Sequence, residues 1–236
     1  MTNVAVTHVV ITGANRGLGL ALATLYGAQG ATVIGGCRNP AAADELRDSG
    51  AEVHQLDTGS GESIALFASR VGDRPIDLLY NNAGIDARAV GAEEDARSAL
   101  DLTEAQFRAV IDVNVIGPFL LVQALADNLA VVAGKVVNVS SQVGSIEVAH
   151  RIGSDAAYTT SKAALNMLSL KQSQALRPRG VTVIALHPGW VRSEMGGPRA
   201  TLEPADAASS IAGMVDHLTI DHSGSFLQWD GTVHPW

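Results

Sequence analysis

Short β-branched segments alternate with longer helical patterns along the whole chain, and this alternation restricts the fold more than any other feature. The segments with the character of buried strands are THVVITG (7–13), ATVIGG (31–36), AEVHQLD (51–57), IDLLYNNAG (76–84), KVVNVSS (135–141), VTVIALHPG (181–189) and GSFLQWDG (224–231). The helical stretches between them are residues 17–29, 41–49, 62–71, 103–130, 156–177 and 204–217. Strands and helices that take turns in this way build βαβ units. The pattern therefore predicts an α/β fold of the Rossmann type, with a doubly wound, mainly parallel seven-stranded sheet and helices on both faces.

The domain organisation follows from the same pattern, since no linker, repeat or low-complexity tract interrupts it. Residues 1–236 are predicted to form a single domain, and 47% hydrophobic residues are enough to build a sizeable core. Segment 86–101 is predicted to be a solvated loop or a partner surface, and segment 190–204 is predicted to be a second long, turn-rich loop. The second follows the carboxyl end of a strand, where ligands bind in such sheets.

Composition excludes several classes of function. The net charge of −8 argues against nucleic-acid binding, which depends on basic surfaces. Cys37 is the single cysteine, so an internal disulfide and a cysteine-based zinc cluster are excluded, and none of the seven histidines has metal-site spacing. The first residues do not resemble a signal peptide, and no run approaches about 18 apolar residues. We therefore expect no metal, no membrane span and a cytoplasmic location.

The segment TGANRGLG (12–19) lies between the first predicted strand and the first helix. Its glycines, at positions 13, 17 and 19, permit a tight turn and a close approach of backbone to a pyrophosphate at the helix N-terminus. The alternative is an ordinary strand-to-helix turn that needs the same backbone angles. The strand–glycine–helix context favours a dinucleotide site.

The second predicted strand indicates which dinucleotide is bound. It ends in Cys37-Arg38 and lacks the carboxylate that holds the ribose 2′-hydroxyl of NAD. Arg16 projects from the glycine loop toward the same region, so that Arg16 and Arg38 could bracket a 2′-phosphate. The alternative is that both arginines are simply solvated. The pattern favours NADP(H) over NAD(H).

A second group of chemically useful residues lies after the predicted strand that ends in Ser140-Ser141. Tyr158 and Lys162 are four residues apart on a helical pattern, so their side chains share a face. A nearby lysine cation would lower the pKa of a tyrosine from its usual value near 10 and make it a better proton-transfer group. The alternative is a plain surface helix. The position of the pair after a Ser-Ser strand end favours a catalytic role.

These motifs occur in a fixed order: TGANRGLG (12–19), the Asp57-Thr58 step, NNAG (81–84), DVNVIGPF (112–119), VNVSS (137–141), YTTSK (158–162) and HPGWV (187–191). In this order the sequence resembles the short-chain dehydrogenase/reductase family, in its short single-domain branch, over nearly the whole chain. The stretches HPGWVRSEMGGP (187–198) and SGSFLQWDGTVHPW (223–236) are similar to the carbonyl-reductase-like subgroup that includes C-factor and sniffer.

The resemblance implies specific roles. Tyr158 would be the general acid that protonates a carbonyl oxygen, and Lys162 would lower its pKa and bind the nicotinamide ribose. Ser141 would polarise the carbonyl, Ser140 would be structural, and Asn114 would hold a water of a proton relay. The residues that would bind NADP(H), together with Arg38, are Gly13, Asn15, Arg16, Gly17, Leu18, Gly19, Asp57, Thr58, Asn82, Ala83, Gly84, Tyr158, Lys162, Pro188, Gly189, Val191 and Ser193.

The sequence departs from the family pattern in two places. The interval from Ser141 to Tyr158 is a few residues longer than usual, so IEVAHRIGSDA (146–156) is expected to form an enlarged loop over the substrate. Ser193 stands where the family often has threonine and would keep the hydroxyl contact. Trp190 and Met195 are candidates for the wall of the substrate pocket, with ordinary packing as the alternative.

The sequence thus predicts an NADPH-dependent reductase of aldehyde or ketone carbonyls. An NAD(P)⁺-dependent alcohol dehydrogenase of a degradation pathway would use the same residues, and a cofactor-binding regulatory protein of the C-factor type is a third possibility. By resemblance, we expect a homodimer or homotetramer that pairs through the two long helices after the fourth and fifth strands.

Overall fold

The computed structural model describes residues 6–150 and 155–236. In this part of the chain seven strands form one sheet in the order β3-β2-β1-β4-β5-β6-β7. The strands are β1 (His8–Thr12), β2 (Thr32–Cys37), β3 (Glu52–Gln55), β4 (Leu78–Asn81), β5 (Lys135–Val139), β6 (Thr182–His187) and β7 (Phe226–Gln228). Every pairing between neighbouring strands is parallel. The predicted doubly wound fold is confirmed, and the sheet is parallel throughout.

Helices cover both faces of this sheet. Those in the described residues are α1 (Gly17–Ala28), α2 (Asp44–Asp48), α3 (Gly61–Val71), α4 (Glu104–Ile111), α5 (Gly117–Ala124), α6 (Ala126–Ala130), α7 (Ile146–Ala149), α8 (Ala156–Leu176) and α9 (Pro204–Asp216). The predicted helix at 41–49 is shorter than expected, because a 3₁₀ turn (Pro40–Ala42) precedes α2. Segment 86–101 also contains a 3₁₀ turn, at Ala87–Val90.

Alternation along the strands divides the core into two layers. On β1, Val9 and Ile11 belong to a cluster with residues of α1 and α9, whereas Val10 belongs to a cluster with residues of α3, α5 and α6. Successive strand side chains point to opposite faces, so a fully apolar strand fills both layers. This explains why the buried strands are continuous β-branched runs.

The long helix predicted over residues 103–130 is interrupted. A π-helical turn, Asp112–Ile116, separates α4 from α5, and α6 follows after Leu125. Pro118 lies in the first turn of α5 and has no N–H to continue the preceding hydrogen-bond ladder. The change of register buries the Asn114 side chain completely and turns it toward the carboxyl ends of the strands.

By length and composition alone, the helical stretch Glu104–Ala124 is apolar enough to cross a membrane, with a mean hydropathy of 1.4. The sequence had predicted no such span. Core helices of soluble proteins meet the same criterion, and this stretch includes Glu104, Arg108 and Asp112. The finding is therefore weak support for a membrane span.

Candidate active site

The glycine loop joins the end of β1 to the start of α1. Gly13 and Gly17 have φ angles of +63° and +54°, which favour glycine, and a Cβ at Gly19 would lie 2.3 Å from the Gly13 carbonyl oxygen. Arg16 is the N-cap residue of α1, and its side chain makes no capping hydrogen bond. The amides of the first helical turn thus keep hydrogen-bonding capacity for an anion. Asn15 is partly buried and Leu18 is buried beside them.

A network of hydrogen bonds ties this loop to the end of β4. The Thr12 hydroxyl accepts hydrogen bonds from the Asn82 and Ala83 amides at 3.0 and 2.9 Å. The Asn82 side chain donates to the Thr12 and Gly13 carbonyls at 2.9 and 3.2 Å. Sequence analysis did not assign Thr12 a role, although its place at the end of the first strand could have suggested one. The structure brings NNAG and the glycine loop together, and their role in binding a cofactor remains a prediction.

The two arginines predicted to bracket a 2′-phosphate are both exposed. Arg16 forms an ion pair with Glu194 of loop 190–204. Arg38 directly follows β2 and its Cys37. The structure therefore shows Arg16 engaged by a carboxylate of the loop and does not show the two arginines sharing one partner.

Asp57 and Thr58 form the turn between β3 and α3. The Asp57 carboxylate accepts a hydrogen bond from the Gly59 amide at 2.9 Å. Thr58 is buried, and a Cβ on Gly117 would lie 2.6 Å from its carbonyl oxygen. Thr58 thus packs at the junction between the π turn and α5, and its place in a cofactor site remains a prediction.

The segment after β6 turns back over the glycine loop. Gly189 has a φ of +82°, and a Cβ there would lie 2.3 Å from Leu202. Val191 forms a parallel bridge with the same Leu202. The Ser193 hydroxyl accepts a hydrogen bond from the Gly196 amide at 3.1 Å, and a Cβ on Gly17 would lie 3.4 Å from the Ser193 Cβ. Pro188 is partly buried at the start of this segment.

Lys162 occupies the centre of the second predicted group. Its Nζ lies 5.5 Å from the centre of the Tyr158 ring and donates a hydrogen bond to the Val139 carbonyl at 2.8 Å. A Cβ on Gly84 would lie 3.4 Å from Lys162 Nζ and 3.3 Å from Asn114 Oδ1. The structure therefore gathers these residues from α8, the π turn and the carboxyl ends of β4 and β5.

Hydrogen bonds fix the Asn114 side chain. Its Oδ1 accepts from the Ile85 amide at 2.9 Å, and its Nδ2 donates to the Ile85 carbonyl at 2.8 Å and to the Ser161 hydroxyl at 2.9 Å. These bonds join the π turn to the segment after β4 and to α8. The predicted role of Asn114 in a proton relay remains a prediction.

Ser141 caps a 3₁₀ turn, Gln142–Gly144, that packs closely on α8. A Cβ on Gly144 would lie 2.7 Å from the Lys162 carbonyl carbon, so only glycine fits this approach. Ser140 donates a hydrogen bond to the Lys162 carbonyl at 3.3 Å, consistent with the structural role predicted for it. Gly144 has no place in the motifs from which the site was predicted.

The pKa values of the central pair differ from the sequence-based expectation. Burial raises the pKa of Tyr158 to about 12, although its hydrogen bond with Ser141 acts in the opposite direction. Burial lowers the pKa of Lys162 to about 8. The net pKa of Tyr158 in this structure therefore lies above its usual value, and the lowering of that pKa by Lys162 remains a prediction. Tyr158 keeps its proton at neutral pH.

Two other buried carboxylates lie near Tyr158 and were not predicted. Asp155 is the N-cap residue of α8, and Asp86 precedes the 3₁₀ turn after β4; both are at least nine-tenths buried. Their negative charges also raise the pKa of Tyr158. Asp155 carried a sequence signal, because aspartate directly before a helix is a favoured N-cap.

The remaining candidates lie at the edge of the site. His187 is buried with no hydrogen-bond partner for Nδ1, and burial lowers its pKa to about 4. Trp190 donates to the Gly196 carbonyl at 2.9 Å and is 46% exposed, and Met195 is also exposed.

The predicted enlarged loop contains α7, but residues 151–154 lie outside the described residues. Among the residues that the structure describes, no group of three or more His, Cys, Asp or Glu side chains could hold a metal ion.

Comparisons with known proteins agree with this fold. The sequence profile of the short chain dehydrogenase family matches residues 7–203. The C-signal protein of Myxococcus xanthus is 38% identical over 173 residues, which cover 72% of this chain and 98% of that protein. An NADPH-bound carbonyl reductase from chicken fatty liver superposes with a TM-score of 0.90 at 32% identity, covering 99% of this chain and 100% of that one. The carbonyl reductase Sniffer of D. melanogaster superposes with a TM-score of 0.88 at 29% identity, covering 98% and 100%.

Proposed function

The chain belongs to the short-chain dehydrogenase family, and we propose that it is an NADPH-dependent reductase of aldehyde or ketone carbonyls. The observation that carries the proposal is the joint placement of Ser141, Tyr158 and Lys162. Ser141 is hydrogen-bonded to Tyr158, and Lys162 Nζ lies 5.5 Å from the centre of the Tyr158 ring. All three lie at the carboxyl edge of a parallel sheet, where such folds bind ligands.

The residues of this chain divide the chemistry between them. When bound, the nicotinamide cofactor supplies a hydride. Ser141 would donate a hydrogen bond to the carbonyl oxygen, and Tyr158 would transfer its phenolic proton to the same oxygen. Because the pKa of Tyr158 is raised to about 12, this proton is present at neutral pH. Asn114 and Lys162 would connect the phenol to further proton donors.

The glycine loop fits a dinucleotide phosphate. A Cβ at Gly19 would collide with Gly13, and the first turn of α1 has no side-chain cap at Arg16. These features leave the backbone N–H groups at the start of α1 to bind a pyrophosphate. Arg16 and Arg38, with no carboxylate at the end of β2, support NADP(H) over NAD(H). The NADPH-bound carbonyl reductase with the same fold supports this choice.

The Tyr158→Phe variant tests the assignment. It removes the transferable proton and one hydroxyl, so turnover of a carbonyl substrate should nearly disappear while NADPH binding, measured by fluorescence titration, remains. Tyr80→Phe is a matched control, because the Tyr80 hydroxyl bonds to Tyr26 in the core at 2.8 Å. Full activity of Tyr158→Phe would refute the mechanism.

Two other functions use the same site. An NAD(P)⁺-dependent alcohol dehydrogenase would run the reaction in reverse, and comparing kcat/KM for matched alcohol and carbonyl substrates decides the preferred direction. A cofactor-binding regulatory protein is supported by the 38% identity with C-signal. Tight NADPH binding with no reduction across a broad panel of carbonyls would favour this regulatory role.

We also propose that residues 1–236 form one NADP(H)-binding domain that includes the substrate site, in a cytoplasmic homodimer or homotetramer. Apolar side chains exposed near the π turn and on α8 support self-association: Ile116 is 42% exposed, Phe119 44% and Met167 56%. Light scattering would give the oligomeric state, and Phe119→Glu should shift it toward monomer if this face pairs.

A further inference from the structure

Asp155 contacts two separate elements of the site with its two carboxylate oxygens. Its Oδ1 accepts a hydrogen bond from the Tyr158 amide at 2.9 Å, and its Oδ2 accepts one from the Ala87 amide at 2.8 Å. The residue is 8% exposed. We propose that Asp155 is a positioning residue that fixes Tyr158 against segment 86–90, an inference that rests on the proposed role of Tyr158 as proton donor.

The second contact distinguishes Asp155 from an ordinary helix cap. An N-cap needs one acceptor for an amide in the first turn, which serine or threonine supplies equally well. The second oxygen of Asp155 instead reaches a residue 68 positions away in the chain. The start of α8 is also held to Arg97, further along the chain than segment 86–90, because the Ala156 amide donates to the Arg97 carbonyl at 2.9 Å. Two hydrogen bonds therefore hold the start of α8, and Tyr158 lies in the first turn of this helix.

Segment 86–90 in turn contacts the loop that closes over the glycine loop. The Arg88 guanidinium donates to the Asp86 carboxylate at 2.8 Å through Nε, and its Nη2 donates to the Met195 carbonyl at 2.9 Å. Asp155 thus connects α8, through Ala87 and Arg88, to loop 190–204. A displacement of segment 86–90 would move Tyr158 relative to the residues on both sides of the site.

The same residues determine the charge around the Tyr158 hydroxyl. Asp86 and Asp155 raise the pKa of Tyr158 by their negative charge, whereas the hydrogen bond with Ser141 lowers it. On α8 the facing titratable group is Lys162, and on segment 86–90 it is Arg88, whose own pKa is raised by Asp86 and Asp155. Removing the charge of Asp155 should therefore make Tyr158 ionise at lower pH.

Asp155→Asn and Asp155→Ser separate the helix cap from the charge of Asp155 and its contact with Ala87. Both can still accept the hydrogen bond from the Tyr158 amide, but both lose the negative charge and the acceptor for Ala87. We expect kcat to fall at least about fivefold, with the KM for NADPH unchanged within about twofold. Ser60→Ala is the matched control, because Ser60 caps α3 through the Ser63 amide at 3.2 Å and is not among the residues proposed to bind the cofactor or the substrate; its kcat at saturating NADPH should be that of the wild type.

A direct titration of Tyr158 provides a readout that a purely structural cap would not change. The chain has three tyrosines. Tyrosinate absorbance is measured after a rapid pH jump in each protein and in the same protein carrying Tyr158→Phe, and the difference between the two is the signal of Tyr158. The midpoint should move to lower pH by on the order of half a unit to one unit in both Asp155 variants and stay unchanged in Ser60→Ala. An unchanged midpoint in both Asp155 variants, or a wild-type kcat in both, would overturn the proposal.

The titration also separates this proposal from the proposed function. If the wild-type protein reduces no carbonyl compound, the reductase assignment fails, but the Tyr158 midpoint can still be measured. A shifted midpoint in the inactive protein would show that Asp155 acts on Tyr158 independently of catalysis. An unshifted one would overturn it independently of any activity.

Discussion

Lys162 Nζ lies 5.5 Å from the centre of the Tyr158 ring and donates its hydrogen bond to the Val139 carbonyl. Burial without an opposing carboxylate lowers the pKa of this lysine from 10.5 to about 8. Burial of Lys162 thus lowers the free energy of unfolding at neutral pH, because the charged form of the side chain is disfavoured in the folded protein. The arrangement is expected where a residue is retained for chemistry.

Lys162→Met should stabilise the protein while abolishing its activity. Between about pH 8 and 10.5 the unfolded chain binds a proton at this lysine that the folded chain does not, so wild-type stability rises with pH there. Below about pH 8 the full cost is present. We expect the variant to be about 1–3 kcal/mol more stable at pH 7, reduced by the lost bond to Val139, with a smaller gain at pH 10. Urea unfolding at both pH values checks this, and a destabilised variant at pH 7 would contradict it.

His187 should make the protein sensitive to acid. Burial and the neighbouring His234 lower its pKa from 6.5 to about 4, and the two rings lie 5.6 Å apart. Below pH 6.5 the unfolded chain binds a proton that the folded chain excludes, so stability falls until about pH 4. We expect this site to contribute a loss of about 2–3 kcal/mol over that range. His187→Gln should flatten the pH dependence of the urea midpoint between about pH 4 and 6.5, and an unchanged pH dependence would contradict this prediction.

Gly19→Ala should disrupt the glycine loop. The new Cβ would lie 2.3 Å from the Gly13 carbonyl oxygen and 2.6 Å from Asn82 Nδ2, so the bond between loop and β4 must break. We expect the Kd for NADPH to rise at least about tenfold and Tm to fall. Gly213→Ala in α9 is the control, because a Cβ there meets nothing within 4 Å. Alanine should stabilise that helix by up to about 1 kcal/mol, and equal effects of the two substitutions would contradict the argument.

The fold could be predicted from the sequence because its strands are buried on both faces. Such strands are continuous apolar segments with turn residues at their ends, and their alternation with helices leaves few topologies. The interruption at Asp112–Ile116 was not predicted, since the helical periodicity continues through it and only Pro118 marks the change. The glycine loop and the Tyr158–Lys162 pair were also predictable, because each depends only on residues that are close in sequence.

Other features of the site depend on contacts between distant parts of the chain. The hydrogen bond from the Ala87 amide to Asp155 joins residues 68 positions apart, and no local sequence pattern predicts it. The pKa of Tyr158 was predicted to fall because a lysine is close in sequence, but burial of both side chains has the larger effect. Burial is a tertiary property, so the direction of such a shift cannot be derived from spacing alone.

The ion pair between Arg16 and Glu194 should weaken NADPH binding slightly. Glu194 competes with a 2′-phosphate for the Arg16 guanidinium, and both side chains are exposed, so the competition is small. Glu194→Ala should lower the KM for NADPH by at most about fivefold and leave the KM for NADH unchanged.

Arg16→Ala and Arg38→Ala should each raise the KM for NADPH about tenfold or more, also with little effect on the KM for NADH.

Asp127→Ala is the matched control for Glu194→Ala. Asp127 pairs with Arg179 at 2.6 Å on the exposed surface and lies on α6, whose Asn128 carbonyl accepts a bond from the Ile76 amide. This contact places Asp127 near the amino end of β4, at the edge of the sheet away from the glycine loop. Steady-state kinetics with both cofactors should show no change in this control. If Arg16→Ala and Arg38→Ala weaken NADH as much as NADPH, the two arginines do not select the 2′-phosphate, and the preference for NADP(H) must have another origin.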